Sequence, residues 1–191
     1  MSLKKSKEKL GKGAKAPDFE LKGVDGEFHG PEDFKEYGYL LIVFTCNHCP
    51  YARSKMDVLN ELAEEEDLCV VGINPNSPSR EEDSYENMKK WVEEGRIDYD
   101  FYLEDESQEV AESYGAVCTP DPYLFRRKGQ DFHLVYHGRI DDAMNPDDKP
   151  TENYIKKALE ALREGGRSGA GVHAITGMFD KMGLTRIPLN F

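Results

Sequence analysis

No stretch of the 191-residue sequence approaches the ~18 consecutive apolar residues that a membrane-spanning helix needs. Basic residues are in the minority: 25 Lys and Arg stand against 37 Asp and Glu, a formal charge of −12. That balance leaves no basic patch, which argues against a nucleic-acid or anionic-membrane partner. The acidic residues fall in short runs such as Glu64-Glu65-Glu66-Asp67 and Glu81-Glu82-Asp83, which read as solvated surface. Cysteine is scarce too. Four in a chain of this length do not make a structural disulfide framework. Residues 4–12 are Lys-rich, but no apolar segment follows them, so a secretory leader is not expected and the chain reads as cytoplasmic. There is no internal repeat or low-complexity tract, and the length fits one domain with its own core.

What is present centres on Leu40-Leu41-Ile42-Val43-Phe44-Thr45-Cys46-Asn47-His48-Cys49. An apolar run of strand length ends in a polar turn with two cysteines three positions apart. A helical pattern follows, with Met56, Leu59, Leu62 and Ala63 on one face. A thiol at a helix start meets unpaired backbone N–H groups and the positive end of the helix dipole, which favour thiolate over thiol. The thiolate is the nucleophile in disulfide exchange. On this reading Cys46 opens the helix and attacks, and Cys49, about one turn on, resolves the mixed disulfide. His48 lies inside the motif, where a polarised imidazole stabilises thiolate and raises the reduction potential. Cys69, within the apolar run 68–73, is expected to be buried and inert.

These residues resemble the active site of the thioredoxin superfamily, with a His beside the second Cys as in its more oxidising members. Ala14-Lys15-Ala16-Pro17-Asp18-Phe19-Glu20-Leu21 resembles the opening signature of the peroxiredoxin-like and membrane-anchored-thioredoxin-like branches. Residues 103–111, Tyr114-Gly115-Ala116 and Thr119-Pro120 are similar to later parts of that fold, in order. The match spans residues 13–164. It implies a thioredoxin-like α/β fold and a thiol–disulfide oxidoreductase using Cys46 and Cys49, supported by Asn47, His48, Thr119 and Pro120. In the resembled fold a cis proline, here Pro120, faces the dithiol, and the residue before it pairs with the substrate backbone. Thr45, Cys118 and Asp121 are further candidates. The chain also departs from the pattern. Resembled reductants carry an acid six residues before the first Cys and a Glu three after the second; here those positions are Leu40 and Ala52. The proton acceptor for Cys49 is therefore open, with Asp121 and water as candidates.

Taken in order, residues 1–12 form a polar, flexible start. Strands flank Val24-Asp25-Gly26 as a hairpin, a short helix covers 31–38, and the central strand and active-site helix follow. A strand over 68–73, a helix over 84–94 burying Met88, Trp91 and Val92, and a strand over 101–103 come next. A short helix over 108–114 is stopped by Gly115. Strands over 122–126 and 134–137 pair antiparallel, and a helix over 151–163 buries Ile155, Ala158, Leu159 and Leu162. The expected class is α/β: a three-layer sandwich on a mixed central sheet with an N-terminal hairpin extension. The domain spans 13–164. Residues 165–191 form a Gly/Ser linker and a tail whose Ile175, Met178, Phe179 and Met182 suit docking on the same domain or on a second copy.

Three other functions compete. Zinc binding wants about four ligands, and no second Cys pair or His pair accompanies the first. A peroxidase of the resembled peroxiredoxins has Pro-x-x-x-Thr-x-x-Cys; here Cys49 stands four positions past Thr45, and Leu41 occupies the Pro position. A redox-inactive domain holding a peptide beside Pro120 is the third. The expected partners are a protein or small-molecule disulfide and an external thiol reductant or oxidant. No cofactor or metal is expected.

Overall fold

The computed structural model describes residues 9–167. The central strand β3 (Tyr39–Phe44) is buried at every position, as its unbroken apolar run requires. On one side it pairs parallel with β4 (Leu68–Asn74), and β4 pairs parallel with β5 (Phe101–Glu104). On the other side β3 pairs antiparallel with β6 (Asp121–Lys128), which turns back into β7 (Asp131–His137). The hairpin β1 (Leu21–Gly23) and β2 (Phe28–His29) joins the β5 edge antiparallel. The sheet is mixed and seven-stranded, in the order β2-β1-β5-β4-β3-β6-β7. Its class is the expected one.

Because strand side chains alternate, β3 feeds two cores. Leu41 and Val43 meet Leu59 and Leu62 of α2 (Met56–Ala63) and Ile155, Ala158, Leu159 and Leu162 of α5 (Tyr154–Arg167). Leu40, Ile42 and Phe44 meet Phe34 and the Ala111 and Tyr114 side chains of α4 (Glu109–Tyr114) on the opposite face. Met88 of α3 (Tyr85–Glu93) packs with Met56, Ile97 and Tyr102 in a third, smaller cluster. Each of these larger aliphatic side chains, once buried, contributes roughly 1.5–3 kcal/mol. Cys69 is buried among them, and burial pushes its thiol up, as expected of an inert cysteine.

Some local expectations are corrected. The segment after the dithiol is two helices, α1 (Pro50–Arg53) and α2, interrupted at Ser54 and Lys55. Lys55 turns inward there and pairs with buried Asp141 at 2.8 Å. The helix expected over 31–38 is a single 3-10 turn, Pro31–Phe34, and Val92 is exposed rather than buried. Helix α5 continues through Gly165 to Arg167, past the point where a linker was expected. The tail that was expected to dock lies outside the described residues. Among the described residues no helix is long and apolar enough to cross a membrane.

Candidate active site

At the end of β3 the chain leaves the sheet through Thr45, whose N–H still bonds Ile73 O at 2.9 Å. Residues 45–48 form a loop, and the helix opens only at Pro50, with Cys49 as its N-cap. The proline suits this position, since a first-turn residue has no helical acceptor for an N–H. Cys46 therefore does not open the helix. It is fully buried (0 %), whereas Cys49 is partly exposed.

The Cys49 thiol is drawn down to about 5, first of all by its pairing with the Cys46 side chain. Backbone N–H groups of Ala52 and Tyr51, in the first turn of the helix, reinforce this by hydrogen bonding to Cys49. Cys46 is pushed well above the ordinary thiol range by the same pairing and by burial. Thr119 faces both: its Oγ1 is 3.0 Å from Cys46 Sγ, and its carbonyl is 3.7 Å from Cys49 Sγ. The Thr119–Pro120 peptide is cis, as the resemblance implies.

The loop is held by a residue the sequence reading missed. Asp83, at the end of the 3-10 turn Glu81–Asp83, is buried, not part of a solvated acidic run. Its carboxylate accepts from Asn47 N at 2.5 Å, from His48 N and Asn74 Nδ2 at 3.3 Å each, and from His48 Nδ1. Asn47 in turn donates to Glu82 O at 3.1 Å and accepts from the Tyr102 hydroxyl at 2.8 Å. The sequence offered no signal for Asp83, because its neighbours Glu81 and Glu82 are exposed and the contact spans 35 residues. Cys46, His48 and Asp83 bring potential ligand atoms within 4.8 Å of one another, a trio the zinc argument from sequence could not see.

Of the other candidates, Thr45 is buried with an unpartnered hydroxyl. Asp121 is buried, and its carboxylate accepts from Tyr123 Oη at 3.1 Å and His137 Nε2 at 2.8 Å. Cys118 lines the same open cleft as His48, Cys49, Gln108 and Thr119. The cleft encloses about 820 Å³, enough for a peptide segment or a small disulfide.

The comparisons agree with this fold. Residues 12–130 match the AhpC/TSA family. An uncharacterized conserved protein from Geobacillus kaustophilus is 39% identical over 83% of this chain and 85% of its own, with a TM-score of 0.73. A hypothetical protein from Sinorhizobium meliloti is 31% identical over 88% of this chain and 91% of its own, also with a TM-score of 0.73. The thioredoxin domain of a thiol-disulfide oxidoreductase from Bacteroides vulgatus shares the fold at 24% identity, covering 68% of this chain and 91% of that one, with a TM-score of 0.53. No curated protein matches the chain. A family match over residues 12–130 and relatives of this same fold have one meaning: the chain belongs to the AhpC/TSA family, and with it to the thioredoxin superfamily of thiol oxidoreductases.

Proposed function

We propose that the protein exchanges thiols with disulfides through the Cys46–Cys49 pair, with Cys49 attacking and Cys46 resolving. These roles reverse the sequence expectation. One observation carries the reversal: Cys49 caps the helix at the open cleft, while Cys46 is wholly buried; the direction of the Cys49 thiol, drawn down to about 5, agrees with it. Near neutral pH Cys49 is then the thiolate. Its Sγ attacks a disulfide RS–SR′, forming Cys49–S–S–R and releasing R′S⁻. Cys46 gives up its proton and attacks Cys49 Sγ, releasing RS⁻ and leaving the Cys46–Cys49 disulfide. An external thiol returns the pair to its reduced form, and the same steps run backwards oxidise a dithiol. No bound cofactor is required. Asn47 and His48 hold the loop, and Thr119 beside Pro120 offers backbone to a substrate chain. A cytoplasmic, reducing setting suits a dithiol recycled by an external thiol.

The test is reduction of insulin disulfides with dithiothreitol as donor. Cys49→Ser abolishes exchange, and Cys46→Ser accumulates a mixed disulfide on Cys49. Trapping on Cys46 in the Cys49→Ser protein would restore the opposite assignment, and a wild type without exchange would leave a peptide-binding domain. Membership of the AhpC/TSA family favours a second reading, thiol peroxidase. There Cys49 thiolate takes an oxygen from ROOH to give sulfenic acid and ROH, and Cys46 condenses with it, releasing water. Peroxide consumption measured beside insulin reduction ranks the two.

A further inference from the structure

Proton transfer is the step this site leaves open. Cys46 must lose its proton to resolve the mixed disulfide, yet it is fully buried and held as the thiol. The acid expected on β3 is absent, since position 40 is a buried Leu. Asp121, the acceptor suggested by sequence, accepts from Tyr123 and His137 instead.

We infer that His48, positioned by the buried carboxylate of Asp83, accepts the Cys46 proton in the resolving step and returns it to the departing thiolate. Cys46 Sγ, His48 and Asp83 have heteroatoms within 4.8 Å of one another. Catalytic hydrogen bonds are often long in the resting protein and tighten in the reacting complex. Asp83 bonds His48 Nδ1, which fixes the tautomer and leaves Nε2 as the ring's other nitrogen. The ring borders the cleft through which the leaving thiol departs, with a quarter of its side chain exposed (26%). Asp83 itself is fully buried with four donors on its carboxylate, an arrangement that fixes the ring while adding negative charge behind it.

The step balances. Cys46–SH, Cys49–S–S–R and neutral His48 give the Cys46–Cys49 disulfide, RS⁻ and protonated His48; the imidazolium then protonates RS⁻ to RSH. No outside acid, base or oxidant enters. His48 is the catalytic group, and Asp83 acts through it. The other titratable groups facing the pair are Cys49 on the same loop and Tyr102 from β5, with Lys9, Glu112 and Cys118 lining the cleft. The inference rests on the dithiol reading above, with Cys46 as the resolving thiol.

A stoichiometric reaction with an aromatic disulfide separates the steps. Reduced protein releases one equivalent of coloured thiolate when Cys49 attacks and a second when Cys46 resolves. His48→Gln should slow the second release by roughly tenfold or more, as expected for loss of a general base, and flatten its pH profile. The first release, read in the same trace, is the reference: a merely displaced loop slows both phases alike, whereas loss of the base slows the second relative to the first. Asp83→Asn should show the same pattern; if it does not fold, His48→Gln alone decides. An unchanged second phase with an unchanged pH profile in His48→Gln overturns the inference. Loss of the second phase in Cys46→Ser is the control. If that variant still releases two equivalents, the dithiol reading fails instead, and the two failures are told apart.

Discussion

Cys49 is defined by its three neighbours more than by its own chemistry. The Cys46 thiol, the helix N–H groups and the Thr119 hydroxyl act on it, and the first of these does most to lower it. Ultraviolet thiolate absorbance should therefore titrate with a midpoint about 5 for Cys49. Cys46→Ala removes the paired thiol and should raise that midpoint by about one unit or more, each unit corresponding to ~1.4 kcal/mol. An unmoved midpoint would assign the shift to the helix start alone. Limiting alkylator near neutral pH should label Cys49 first. Cys118 lines the cleft but is not held to Cys49 by the same turn, so Cys118→Ser should leave exchange largely intact. A Cys49–Cys118 bond as the main oxidised species would contradict this.

Two devices at the level of elements tie the sheet to the site. Gly72 of β4 has no side chain where a Cβ would lie 2.8 Å from Tyr99 Cδ2 and 3.0 Å from Tyr102 Cδ2. Tyr102 in turn donates to Asn47 in the active-site loop. Gly72→Ala should cost about 1–3 kcal/mol by overpacking and should lower exchange by displacing that hydroxyl. A melting temperature equal to the wild type's would mean the rings yield freely. The second device is the Lys55–Asp141 pair at the break between α1 and α2, buried on both sides. Lys55→Met alone leaves a buried carboxylate unpaired and should destabilise by roughly 3 kcal/mol or more in urea unfolding. Lys55→Met with Asp141→Leu should recover most of that loss, since the pair's desolvation cost disappears with its attraction.

For the whole molecule, the thiols couple folding to pH. Cys49 is lower in the folded protein than the ordinary ~8.5 of an unfolded cysteine, so between about 5 and that value the unfolded chain binds the extra proton. The Cys49 contribution is thus full above ~8.5 and lost as pH falls through about 5. Cys46 and Cys69 are raised, and they oppose stability only where unfolded thiols ionise, above ~8.5. The stability gap between reduced wild type and Cys49→Ser should therefore widen from pH 5 toward 8; a gap constant with pH would contradict the thiolate assignment. The order of strands and helices was legible because apolar runs of strand length and helical spacing are local properties of the chain. The dithiol and the Thr119–Pro120 peptide were legible for the same reason, as short motifs. Which thiol caps the helix was not, because it depends on where the helix begins, and the loop 45–48 delays that start by one Cys-x-x-Cys spacing. Asp83 was not legible either. An acidic run looks solvated in sequence, and only the packing of the Glu81–Asp83 turn against Asn47, His48 and Asn74 buries one carboxylate and gives it donors. Local chemistry is encoded in neighbouring residues; the partners of a buried charge are supplied by chain segments that only the fold brings together.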